Sequence, residues 1–170
     1  IHQVEQKNID FQHSNLIKEF RFGDTFKMSD SSLALDEFHW LMDILQTIDV
    51  GLVVLDREYK VHLWNSFMEN HSGLRPDQTK DKCLFDLFPD IDENWFRQKA
   101  ETVFLLKTRA FTIHDQRPYL FHFKNNHPIT GRSDVMYQNA TIIPLDSADG
   151  STNHVCLIVY DVTDAAVNKE

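Results

Sequence analysis

Cysteine is scarce in this chain of 170 residues: Cys83 and Cys156 are the whole supply. Two thiols so placed form neither a metal-ligand pair nor a disulfide framework, and a reducing cytoplasm is the expected compartment. Basic residues are in the minority, 17 against 26 acidic ones, for a net charge of −9. A nucleic-acid surface needs clustered Lys and Arg to meet phosphates, so that partner is excluded, and an anionic membrane face with it. No apolar run approaches the length of a bilayer span and no signal peptide is visible. Catalytic motifs are missing too: there is no Gly-x-Ser-x-Gly elbow, no His-Glu-x-x-His, no Gly-rich phosphate loop. Neither a kinase phosphoacceptor-helix motif nor a Gly-Gly-Asp-Glu-Phe cyclase motif is present. Asp86, Asp90, Asp92 and Glu93 form an acidic patch, but at helix caps and turns, where carboxylates complement the helix dipole. The chain is therefore expected to carry no chemistry of its own.

What is present points to a packed core. Apolar residues make up 42% of the chain and Phe alone contributes 13, in a length that suits one domain plus some extra. The first residue is Ile1 and the last stretch is polar, as in a fragment of something longer. Residues 1–30 are expected to form an N-terminal extension, with helical spacing only over 9–20 and a break at Gly23-Asp24. Residues 31–48 read as an amphipathic helix. Leu35, Phe38, Met42 and Leu45 recur at steps of three and four, and Leu41, Ile44 and Ile48 widen the stripe. That surface suits either docking on the domain itself or pairing with a second chain, in which case Leu35, Phe38, Met42 and Leu45 are the dimerisation residues.

Residues 51–89 are the stretch around which the rest of the chain is organised. An apolar run from Gly51 to Asp56 has the composition of a buried strand, a polar turn comes next, and Val61-His62-Leu63-Trp64 makes a second strand. Asn65 stands where a helix N-cap belongs, and Gly73 where the left-handed C-cap does. Leu84, Phe85, Leu87 and Phe88 anchor short helical pieces before Pro89. Asp90 or Asp92 caps a longer helix to about residue 107, with Phe96, Ala100, Val103 and Phe104 on one side. Three antiparallel strand candidates come next: 119–124, with alternating Tyr119, Phe121 and Phe123; 136–145, distorted near Pro144; and 155–162, after a turn at Asp149-Gly150.

In that order, Val50-Gly51-Leu52-Val53-Val54-Leu55-Asp56, Leu63-Trp64-Asn65, Gly73, Leu84-Phe85-Asp86-Leu87-Phe88-Pro89 and Asp161-Val162-Thr163 resemble the PAS (sensory box) family. Asp81 departs from the pattern, standing where many members have Gly. The resemblance implies an α+β fold: a five-stranded antiparallel sheet with helices on one face, here preceded by an N-terminal helical extension. It places the domain at residues 49–164 and the start of a linker to a missing output domain at 165–170. It further implies a cytoplasmic sensor segment, homodimeric, that binds a small molecule non-covalently and relays this through flanking helices to a histidine kinase or diguanylate cyclase.

Ligand candidates are the groups that could point inward. His62 and Trp64 share a strand face by parity; Tyr119, Phe121 and Phe123 make an aromatic face; Tyr137 and Asn139 alternate with Met136 and Gln138. Sheet parity groups these residues without saying which group faces inward, and an aromatic-filled core with no cavity is the competing outcome, making the domain a protein–protein docking module. Flavin chemistry at Cys83 is not supported, because the family's Asn-Cys-Arg-Phe-Leu-Gln surroundings are replaced by Lys82-Cys83-Leu84-Phe85. Haem lacks its motif too: the long helix contains no histidine, leaving His114 and His122 as the nearest candidates. The cofactor is left unknown and no metal site is expected.

Overall fold

The computed structural model describes residues 31–125 and 133–168. The expected N-terminal extension, residues 126–132 and the end of the linker lie outside them. Helix α1, Ser31–Thr47, leads into β1, Gly51–Asp56, and β2, Val61–Trp64. Three short helices come next: α2, Ser66–Ser72; α3, Pro76–Thr79; α4, Leu84–Leu87. Then come the long helix α5, Glu93–Leu106, strands β3, Ala110–Thr112, β4, Gln138–Asp146, and β5, Thr152–Asp161, and a terminal turn of helix α6, Thr163–Val167. The five strands form one sheet in the order β2-β1-β5-β4-β3, every neighbour antiparallel.

Alternation sets the core. Gly51, Val53 and Leu55 of β1 are buried, and their cross-strand partners on β5, Val159, Leu157 and Val155, are buried with them. Phe96, Ala100, Val103 and Phe104 of α5 complete this layer, the one-sided stripe expected from their spacing. On the other face Leu52, Val54, Leu63, Ile143 and Ile158 are half-buried. Gly51 is demanded by space: a Cβ there would lie 2.5 Å from Met68 Sδ.

The caps are those the sequence indicates. The Asn65 side chain accepts from Met68 N–H at the start of α2, and Gly73 closes that helix with φ 74°. Asp92 accepts from Trp95 N–H at the start of α5. The β1–β2 turn is tied by Asp56 Oδ1, which accepts from the N–H groups of Glu58 and Lys60. Within it Tyr59 has φ 62° and is buried. A bulky residue in that region is strained; its ring packs against Phe85 and Phe96 beneath the Arg97 guanidinium, and its hydroxyl donates to Glu101 Oε1 at 3.0 Å. Burial, with the carboxylate of Glu101 beside it, pushes the Tyr59 pKa up to about 12. Asp81, at the position where Gly is usual, also has φ 62°.

One expectation is corrected. Residues 119–124 are not a sheet strand, and the strand after α5 is β3, at 110–112. The aromatic alternation is real, since Phe121 and Phe123 are buried. Their backbone is satisfied otherwise: Phe123 N–H turns back to Phe121 O, and the Gln138 side chain accepts from Leu120 and Phe121 N–H while donating to Phe121 O. A side-chain amide stands in for a neighbouring strand. The distortion expected near Pro144 is present as a register shift between Leu145 and Asp146; Pro144 itself pairs with Val155 within β4, beyond the reach of β3, whose pairing stops opposite Ile142. Its missing N–H falls on a stretch whose other edge is unpaired among the described residues.

Candidate functional site

His62 and Trp64, expected on one strand face, are separated. A bulge between β1 and β2 pairs Val53 with Trp64, Val54 with Leu63 and Leu55 with Val61, leaving His62 as the extra residue. Trp64 therefore turns inward and His62 outward.

Inside, Trp64 is the floor of an aromatic cluster. It stacks on Phe88 at 5.7 Å between centroids and meets Phe121 edge-on at 6.4 Å. Phe121 and Phe123 stack at 5.2 Å, and the His71 ring lies between Phe123 and Phe67 at 5.9 and 4.4 Å. These are the offset and edge-on spacings that aromatic quadrupoles favour. The indole N–H donates to Leu74 O at 2.9 Å. Of the seven ligand candidates in the sequence, Trp64, Phe121 and Phe123 come together here. Tyr119 is exposed and pairs with His122 instead. Tyr137 and Asn139 fall on the face opposite Gln138, so the inward set is the one containing Met136 and Gln138. Phe67, His71 and Phe88 were missed, although Phe67 and His71 stand at i, i+4 directly behind the Asn65 cap, a spacing that puts them on one helix face.

Two buried polar side chains bolt the flanking helices to this arrangement. Asn65, 0% exposed, donates through Nδ2 to Leu45 O in α1 and to Val50 O, at 3.1 and 2.8 Å. Its Oδ1 accepts from Leu52 N–H at 3.0 Å as well as from Met68 N–H. Ser66 adds a hydrogen bond to Gln46 Oε1. At the other end Thr163, also buried, accepts from Tyr137 N–H at 3.0 Å and donates to Asp161 Oδ1 at 2.6 Å. α1 is thus fastened to α2, which carries Phe67 and His71, and α6 is fastened to the run leading into β4.

The other candidates lie apart from the cluster. His114 is held by Asn139 Oδ1, which accepts from both its backbone N–H and its Nδ1, while Nε2 faces Asp115 at 3.2 Å. With both ring nitrogens so engaged, His114 does not suit an axial haem ligand; His122 is exposed. Cys83 is half-buried and Cys156 buried, and burial pushes the Cys156 thiol up to about 11. On α1, Met42 and Leu45 are half-buried, whereas Leu35 and Phe38 are exposed, as are Trp40, Leu41, Ile44 and Ile48. Open depressions of about 420 and 330 Å³ lie at the β1–β2 turn and beside Phe104 and Leu105 on α5, both away from the aromatic cluster. No helix among the described residues is long and apolar enough to cross a membrane.

A family model described as PAS fold matches residues 45–167, from the end of α1 to α6. The chain belongs to the PAS family. A solved structure of a sensory box sensor histidine kinase from Vibrio cholerae is 28% identical, with a TM-score of 0.55 over 79% of this chain and 98% of that one. The PAS domain of an HTR-like protein from Haloarcula marismortui, at 9% identity, has the same fold with a TM-score of 0.59 over 79% of this chain and 99% of that one. So has a PAS domain from Colwellia psychrerythraea, at 13% identity and a TM-score of 0.53, over 76% and 99%. No curated protein matches the sequence. The chain is a signalling module of the sensory type.

Proposed function

We propose that this PAS domain is the input segment of a larger histidine-kinase-type protein, working as a homodimer through α1. The observation that carries the reading is the pair of buried bolts: Asn65 and Thr163 fasten the helices at both ends to the layer that holds the aromatic cluster. Any shift of that cluster has a hydrogen-bonded route to α1 and to α6. The 28% identical relative from a sensor histidine kinase supports a kinase output over the cyclase alternative. A ligand would enter by displacing Phe121 and Phe123, held by the Gln138 side chain at Phe121 and by Met136 N–H at Phe123 O and not by a sheet strand. It biases the relay only by its difference in affinity for the two packings. The dimer contact is assigned to Trp40, Leu41 and Ile44 of α1 with Ile48 just after it, because Met42 and Leu45 are half-buried.

A second reading, a docking module with a filled core, is favoured by one observation. The cluster rings are at contact spacing, and the buried Gln138 amide is satisfied by backbone. Native mass spectrometry on protein as purified separates the two, since a retained small molecule supports ligand sensing and a bare mass supports docking. Sedimentation tests the dimer. Ile44→Asp is expected to yield folded monomers and Leu45→Asp to destabilise the domain, and an unchanged dimer in Ile44→Asp removes the α1 assignment.

A further inference from the structure

The bulge that turns His62 outward brings it to a second imidazole. Asp56 and His154 are direct cross-strand partners on the face away from the core, and His62 lies beside them at the edge of the sheet. The two rings are 5.0 Å apart between centroids. His62 Nε2 lies 2.8 Å from Asp56 Oδ2, and its side chain is 39% exposed. Asp56 is itself fixed, because its other oxygen holds the turn through the Glu58 and Lys60 N–H groups. With Oδ1 accepting those two N–H groups and Oδ2 facing Nε2, Asp56 engages His62 through Nε2 and leaves Nδ1 on the other side of the ring.

We propose that His62 Nδ1 and one nitrogen of His154 form an open site for a divalent transition-metal ion, with Asp56 as the carboxylate that orients His62. The separation fits. With metal–nitrogen bonds of about 2.0–2.1 Å, two imidazoles on one tetrahedral ion have centroids about 5.2 Å apart. The rings stand at 90° to one another, and with His62 exposed and His154 only half-buried the pair is open to solvent. A carboxylate behind a ligating histidine fixes the tautomer and raises its basicity. Imidazole donors suit Zn²⁺, Ni²⁺ and Cu²⁺ and not Mg²⁺ or Ca²⁺.

The nearby cations are engaged elsewhere. Lys60 pairs with Glu58, and the Arg57 guanidinium donates to Thr152 O and lies over Phe104. Among the described residues no group of three or more His, Cys, Asp or Glu side chains is arranged to hold a metal. The site is therefore a two-nitrogen one whose remaining positions go to water or to a donor from another molecule. The depression beside it, lined by Asp56, Glu58, Asn153 and His154 among others, leaves room for that donor.

The test is calorimetric titration of Zn²⁺ into the full chain, free of any polyhistidine tag, at neutral pH. One site is expected, weakened at least about tenfold in His62→Ala and in His154→Ala, and about 10–100-fold in Asp56→Asn. Circular dichroism confirms that each variant is folded. Electron paramagnetic resonance with Cu²⁺ on the unaltered chain gives an independent reading, with coupling to two imidazole nitrogens expected. The proposal is overturned by absence of binding, by undiminished affinity in both histidine variants, or by a Cu²⁺ spectrum without two imidazole nitrogens.

Discussion

Asn65 offers the sharpest test of the bolted arrangement, because its two ends do different things. The carbonyl oxygen caps α2 and holds Leu52 N–H; the amide nitrogen holds Leu45 O and Val50 O. Asn65→Ala removes all four bonds from a site with no exposed surface. At about 1 kcal/mol per net hydrogen bond, with the longer Met68 contact belonging to a cap worth about 1 kcal/mol, the expected loss is roughly 3–4 kcal/mol. That is a large part of the roughly 5–15 kcal/mol by which a domain is stable. Asn65→Asp is the discriminating change. Asp and Asn cap helices about equally well, so a residue that mattered only as a cap would tolerate it. Asp has no amide donors, however, and sets a carboxylate against two buried carbonyl oxygens, for which a loss of about 2–4 kcal/mol is expected. Urea unfolding, followed by circular dichroism and tryptophan fluorescence, measures both variants. If Asn65→Asp comes within about 0.5 kcal/mol of the parent, the donor half of the bolt contributes nothing and the fastening of α1 through Asn65 is refuted.

Asp81→Gly is expected to stabilise by about 0.5–1 kcal/mol, because φ is 62° there and the side chain is exposed; a lower midpoint in urea contradicts it. Gly51→Ala is expected to cost about 1–3 kcal/mol through overpacking against Met68, Phe67 and Val159, and shortening Met68 in the same chain should recover part of the loss, as a double-mutant cycle would show. Cys156, buried with its pKa pushed up to about 11, should stay unlabelled by a thiol reagent at neutral pH until the domain unfolds; labelling of the folded protein at that position would contradict the burial. Lowering the pH through the depressed folded pKa of Asp56, below its ordinary 3.8, protonates it and removes the stability its hydrogen bonds supply above that value. Asp56→Asn should therefore flatten the acid limb of the stability curve, read as urea midpoints measured across that range.

The parts of the fold that were legible are those whose signal is local. Asn65, Gly73 and Asp92 announce their helix ends through their own side chain or backbone, and the α5 stripe repeats often enough to show its face. β3 was not legible because three residues carry no period, and its strand character comes only from pairing with β4. Residues 119–124 show a period without a strand: Phe121 and Phe123 alternate, but the groups that satisfy their backbone include the Gln138 side chain at Phe121 and Met136 N–H at Phe123 O, distant in sequence. In the candidate site, Trp64 and the two phenylalanines could be named from alternation. His62 could not be placed, since one bulge residue reverses every parity argument beyond it. Gln138 could not be singled out, because nothing adjacent to it in sequence tells an inward amide from an outward one.

The pairing of Gly51 with Val159 sets the first residue of β1 beside the end of β5, so the chain comes in from α1 and goes out toward α6 at one edge of two adjoining strands. Neighbouring strands lie about 4.7–4.9 Å apart. A polypeptide that departs so near to where it arrived can be spliced into a longer protein as a side loop, leaving the segments before and after it almost in line. It can be duplicated in tandem or removed with little consequence for the path of its host. The same closeness means that any slide of β1 along β5 would appear undiminished as a change in height between the two connecting segments.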